Sequence, residues 1–220
     1  VKKKNYLVII GSPLAASEGI FNRFNLLIRR PIYGKKFDRR DFSDFFITTE
    51  NFDDVPKGTT ILFVKKDIFL SSQIENKISK DASDDTKLLW NIVRKKNILK
   101  TADVKVTYYA RENLIEHLKH TYCRGPKFVD YYLKPGRKYF LHIILVYLIF
   151  FFSILFVFFF PVIILIELLI LLLLVISTSL YCAENIGDFF VILALLPLTS
   201  LFFLFGIIVG GIIKLVNGGK

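Results

Sequence analysis

Residues 139–182 read YFLHIILVYLIFFFSILFVFFFPVIILIELLILLLLVISTSLYC. The stretch holds no Lys or Arg and a single carboxylate, Glu167. It is about 44 residues long, and a helix that crosses the hydrocarbon of a bilayer needs ~20 apolar residues. Two helices therefore stand end to end in it. Pro161 marks the break, because a proline inside a helix removes a hydrogen bond and collides with the preceding turn. A further apolar run, Phe189 to Val216, is long enough to cross again. The sequence thus predicts an all-α transmembrane anchor over 139–216, with crossings at about 140–160, 162–182 and 189–214.

Residues 1–138 are of a different kind. Of the 30 Lys and Arg residues, 28 precede residue 139, as do 16 of the 19 Asp and Glu. The first part carries a net charge of +12 and the remainder −1. About 138 polar residues suffice for one modest domain with its own core. The positive-inside rule puts so basic a juxtamembrane domain on the cytoplasmic side, in an integral protein of the cytoplasmic or plasma membrane. Lys127, Lys134, Arg137 and Lys138 would meet anionic headgroups there. Nucleic acid is the competing partner for such a charge, but no nucleic-acid-binding motif is present. Cys123 and Cys182 lie in different regions and form no C-x-x-C, which suggests neither a metal site nor a disulfide framework. Val1-Lys2-Lys3-Lys4 leads into an apolar run too short for a signal core, and the absence of Met suggests that the natural N-terminus lies upstream.

The pattern over the first part alternates strand and helix. Tyr6 to Ile10 reads as a buried strand ended by a turn at Gly11-Ser12-Pro13. Ser17, with Glu18 behind it, can cap a helix with Ile20, Phe21, Phe24, Leu27 and Ile28 on one face, and Arg29-Arg30-Pro31 should end it. Tyr33 to Asp54 is loop-like and holds Lys35, Lys36, Arg39 and Arg40. Thr59 to Val64 reads as a strand after the turn signal Val55-Pro56-Lys57-Gly58, and Asp67 to Leu70 begins a short helix. Ser83 or Asp81 can cap the next helix, whose apolar face is Leu88, Leu89, Ile92 and Val93. Val104 to Tyr109 alternates as a strand. Glu112 to Arg124 forms a last amphipathic helix with Leu114, Ile115 and Leu118 inward, closed by Gly125-Pro126. This order predicts an α/β soluble domain.

Asp84-Asp85, at the start of a helix, are the candidate chemical groups, since a positioned carboxylate can act as general base. Acids at a helix start also serve as caps and solvated charges, so the pair alone decides nothing. His117 and His120 can share a helix face, but no third metal ligand accompanies them. Arg124 is suited to a lipid phosphate or to a plain surface position. Glu167 is an intramembrane acid whose role stays open.

Asp84-Asp85-Thr86-Lys87-Leu88 resembles the Glu/Asp-Asp-x-x-Leu element of membrane-anchored family 2 glycosyltransferases, and Trp90 to Tyr109 resembles the continuation of that element. Lys57-Gly58-Thr59-Thr60 with Phe63 to Phe69 is similar to their acceptor-side strand and turn. Ile10-Gly11-Ser12-Pro13 resembles the stretch shortly after the family's Asp-x-Asp. His120-Thr121-Tyr122-Cys123-Arg124-Gly125 resembles their Gln-x-x-x-x-Gly region, with His in place of Gln. The resemblance spans most of residues 7–138 and the position of the anchor. It implies a partial GT-A-like domain without its nucleotide-binding half. Asp85 would be the base, Asp84 its neighbour, and Gly58, Thr59, His120 and Arg124 would lie on the acceptor side. The donor would be a nucleotide-sugar, the acceptor a lipid carrier or growing glycan, and the transfer inverting. The resemblance also implies a divalent cation, Mg or Mn, yet the Asp-x-Asp that would hold it has no counterpart in the chain. This portion alone should therefore be inactive.

The alternative is a non-enzymatic, membrane-anchored basic domain that binds anionic lipid or a protein partner. For either, three crossings from the cytoplasm would put Lys214 and Lys220 outside and the acidic link Glu184 to Asp188 inside, both against the charge rule. A re-entrant hairpin in the first apolar block would reverse this.

Overall fold

A computed structural model describes residues 6–15, 19–34, 42–74, 84–109, 111–159 and 161–216, with side chains at all of these but 13–15, 84, 157–159, 161, 163 and 164. The predicted caps Ser17, Asp81 and Ser83, and Glu18, Lys35, Lys36, Arg39 and Arg40, lie outside the described residues. The chain divides into two compact units, Val1–Ala110 and Arg111–Lys220.

The first unit is built on a mixed four-stranded sheet. Its strands are β1 (Val8–Ala15), β2 (Phe45–Ile47), β3 (Leu62–Val64) and β4 (Ile98–Tyr108), in the order β2-β4-β1-β3. β1 runs parallel to β4 and antiparallel to β3, and β2 is antiparallel to β4. The turn expected at Gly11-Ser12-Pro13 is absent. The strand continues through it, with a register shift between Ile10 and Ser12. The reason lies 89 residues away: Ser12 Oγ donates to the Thr101 carbonyl at 3.0 Å, and Lys100 Nζ to the Gly11 carbonyl at 2.7 Å. Only glycine fits at position 11, where a Cβ would lie 2.7 Å from the Val104 carbonyl oxygen and 2.8 Å from Ile61. β4 accordingly starts six residues before the expected Val104, with Lys100 buried. β2 lies inside the segment expected to be loop, and β3 is shorter than the Thr59 to Val64 strand.

Helices flank this sheet: α1 (Ile20–Leu27), α2 (Arg30–Tyr33), α3 (Lys66–Ser72) and α4 (Asp84–Val93). α1 buries Phe24 and Leu27 as its spacing predicts, while Ile20 is exposed. Pro31 does not simply end that helix; it occupies the first turn of α2, where its missing N–H costs nothing. α4 buries Leu89, Ile92 and Val93, leaving Leu88 half-buried.

The second unit is all helix: α5 (Leu114–Tyr132), α6 (Phe140–Phe159), α7 (Pro161–Cys182) and α8 (Ile186–Val216). Leu165–Cys182 and Ile186–Val216 are long and apolar enough to cross a membrane; only 11% and 28% of them are buried within the protein. Helices so apolar and so little buried are not the core of a soluble fold. The expected stop at Gly125-Pro126 is overturned, because α5 runs through both residues to Tyr132. Both are buried against the glycine face of α8, where a Cβ on Gly210 would lie 2.6 Å from the Pro126 Cα. Backbones this close are what a small-xxx-small pair, here Gly206 and Gly210, permits. The inward face is corrected with it: Leu114 and Ile115 are exposed, and His117, Gly125, Pro126 and Val129 are buried. Val129, Ile143 and Ile207 form the core of this junction. Asn113 Oδ1 caps α5 by accepting from the Ile115 N–H at 2.8 Å.

Candidate functional site

Asp85 sits exposed in the first turn of α4. Its Oδ1 accepts a hydrogen bond from Thr59 Oγ1 at 2.8 Å, across 26 residues of sequence. Packing sets this up. Asn51 closes a turn by accepting from the Thr48 N–H at 2.9 Å and donating to the Phe46 carbonyl at 3.0 Å. That turn buries Phe52, whose ring meets Trp90 of α4 edge-on at 5.1 Å. Lys57 then closes the segment over Phe52, with Nζ 4.3 Å from the ring centroid, 3.6 Å from Asp53 and bonded to the Phe52 carbonyl. The 51–59 segment is thereby fixed to α4, and Thr59 arrives beside Asp85. Gly58 has nothing within 4 Å of where a Cβ would be, so no steric demand explains a glycine there. Asp84 opens α4, and its side chain is outside the described set.

His120 and Arg124 belong to the second unit, on α5. Burial, with the charges of Arg124 and Arg111 and lesser ones from His117 and Lys127, pushes His120 down to about 4. Burial and the same two arginines lower His117 as well. Both imidazoles are thus held neutral at pH 7. Arg124 is exposed.

Two open surface clefts lie elsewhere on the first unit. One, of about 430 Å³, is lined by Lys65, Lys66, Asp67 and Leu70. The other, of about 250 Å³, is lined by Ser71, Asn91, Arg94 and Lys95. Neither is lined by Asp85. Among the described residues no three His, Cys, Asp or Glu side chains gather where they could hold a cation. The described residues thus present no group fitted to Mg or Mn.

The chain matches no known protein family, no curated protein and no protein of solved structure. The geometry establishes a mixed α/β unit and a helical unit with two helices of membrane-crossing length.

Sequence reading missed the buried Lys100, whose ammonium is tied to Gly11 where β4 carries extra residues opposite β1. Its only local signal is a charge inside Ile98-Leu99-Lys100-Thr101, ahead of the expected strand. Also missed was the corner between α5 and α6. There the rings of Phe128, Tyr132 and Tyr139 pack tilted or edge-on with centroids 4.6–5.6 Å apart, Arg137 lies 4.5 Å over the Tyr131 ring and Lys138 5.4 Å over Tyr139.

Proposed function

We propose that the chain carries the acceptor-activating part of a membrane-bound, inverting glycosyltransferase, with Asp85 as its base. The reading is supported by the Thr59–Asp85 hydrogen bond. It joins two segments that the resemblance assigns to one reaction and that nothing local in the sequence links. Asp85 takes the proton of an acceptor hydroxyl as that oxygen attacks the anomeric carbon of the donor sugar. The new carbon–oxygen bond forms as the bond from that carbon to the diphosphate breaks, and its electron pair leaves with the diphosphate. Thr59 orients the carboxylate by donating to one oxygen. The exposure of Asp85 suits a bulky acceptor, a lipid carrier or a growing glycan. The donor is proposed to be a nucleotide-sugar.

The test is transfer of labelled sugar from nucleotide-sugar to membrane acceptor, using protein expressed from its full reading frame. Asp85→Asn should lower the rate by ~10²–10⁴-fold, the usual worth of a general base, with membrane insertion and melting unchanged. Near-normal transfer by that variant would remove the assignment.

One observation favours a second reading, a non-enzymatic protein that binds anionic lipid: the aromatic rings and cations packed together at the α5–α6 corner, a pairing suited to a headgroup region. On this reading Asp85→Asn changes nothing. In lipid nanodiscs the protein would instead melt at a higher temperature with anionic than with zwitterionic lipid, and added salt would erase the difference.

A further inference from the structure

The two ends of the apolar region meet. Near the end of α8, Lys214 Nζ donates to the carbonyl of Leu133, the residue that closes α5. One turn earlier on α8, Gly211 lies against the Tyr147 ring, and the Tyr147 hydroxyl donates to the Ile207 carbonyl at 2.9 Å. Ile207 also packs with Val129 and Ile143. The start of α6 and the last turns of α8 therefore stand at one level.

The other end of α8 is far from that level. Ile186 to Ile207 is about 31 Å of helix at 1.5 Å per residue, the thickness of one hydrocarbon core. At Ile186 the chain has just reversed. Asn185 Oδ1 accepts from the Asp188 N–H at 2.9 Å while Asp188 Oδ2 accepts from the Glu184 N–H at 3.1 Å. α7 packs against α8 and leads back from this turn. Its 22 residues cover about 31 Å at the same rise, which returns Pro161 to the level of Ile207. α6 thus begins and ends on the near side.

We infer that only α7 and α8 cross the bilayer, and that α6 lies shallow in the near leaflet with its exposed Phe and Leu surface against acyl chains. Three crossings would put Ile143 and Ile207 on opposite faces, where they could not touch. Ser153 Oγ donates to both oxygens of Glu167 at 3.1 Å, which ties the second half of α6 to the first turns of α7. Glu167 lies six residues into α7, ~9 Å from its start, so this acid is near the headgroups, where it is tolerated, and away from mid-bilayer. The near side carries Lys134, Arg137, Lys138 and Lys214, while the far turn carries Glu184 and Asp188. The charge rule then makes the near side cytoplasmic. None of this depends on the glycosyltransferase reading.

Labelling of the full chain with a membrane-impermeant maleimide in sealed vesicles of either orientation tests it. In a Cys123→Ser, Cys182→Ala background, Lys134→Cys and Val216→Cys should label from the cytoplasmic face and Glu184→Cys only from the opposite one. Val216→Cys reacting opposite to Lys134→Cys, or Glu184→Cys reacting with it, would overturn the inference. A spin label at Leu148→Cys, in the middle of α6, gives an independent reading. It should report a depth close to the headgroups, and a position at the bilayer centre would refute a shallow α6.

Discussion

Replacing Gly210 with alanine sets two physical effects against each other. Alanine is the better helix former by ~1 kcal/mol, so propensity alone would stabilise α8. Packing opposes it. The new Cβ would stand 2.6 Å from the Pro126 Cα, 3.2 Å from the Val129 Cβ and 3.3 Å from its Cγ2. Carbon atoms settle at ~3.5–4.0 Å, so α5 and α8 must part by about 1 Å. The nearest obstacle is backbone and cannot rotate away. Overfilling a packed interior costs ~1–3 kcal/mol, and parting the helices also loosens Val129 and Ile207 from Ile143. The expected net is a loss of about 1 kcal/mol for Gly210→Ala and clearly more for Gly210→Leu, whose side chain cannot be housed by so small a shift. Gly206→Ala should behave alike, facing the Tyr122 carbonyl and Gly125. The assay is melting of the purified protein in one detergent, followed by far-ultraviolet circular dichroism. Gly58→Ala is the control, with open space around it. A melting temperature raised by Gly210→Ala would refute the close packing of α5 on α8.

Two further outcomes follow from buried polar groups. Lys100→Met leaves the Gly11 carbonyl without its ammonium in a buried site, which should cost ~1–3 kcal/mol. Trp90, the one tryptophan of the chain, lies in the first unit and reports its urea unfolding by fluorescence; a change under ~0.5 kcal/mol would discount the bond. His120, lowered from 6.5 to about 4 by burial and neighbouring arginines, is neutral when folded. Its folded value lies below its unfolded one, so acid favours unfolding: the contribution is fully present above pH 6.5 and is lost as pH falls from there toward 4. Allowing for its partial exposure, roughly 1–2 kcal/mol is at stake. Melting between pH 7 and 4.5 should fall less for His120→Asn than for the unchanged protein; equal slopes would sink the claim.

What the sequence revealed and what it hid divide along the range of the interactions. The apolar helices were legible because hydrophobicity summed over twenty residues needs no knowledge of neighbours. The face of α4 was legible for the same reason, through Leu89, Ile92 and Val93 at helical spacing. Gly11-Ser12-Pro13 and Gly125-Pro126 were misread as stops because local rules treat glycine and proline as breakers. In both places a partner distant in sequence supplies what local rules cannot see. Ser12 and Lys100 bridge 89 residues, and Gly206 and Gly210 make room for the α5 backbone. In the candidate site, Thr59 and Asp85 were each named through resemblance alone, and the hydrogen bond between them has no local signal in the sequence. His120 and Arg124 instead fall in the other unit.

The glycine-rich end of α8 also bears on the order of assembly during synthesis. Gly206, Gly210 and Gly211 fall within six residues of one helix, each weakening it by ~1 kcal/mol when it has no partner. A nascent chain emerging at this point has little reason of its own to stay coiled. Its template, α5, was made some eighty residues earlier and has been waiting since. The last turns of α8 therefore close onto a surface already laid down, and a ribosome that stalled before Gly206 would hold a chain whose first helix of this unit still lacks its mate.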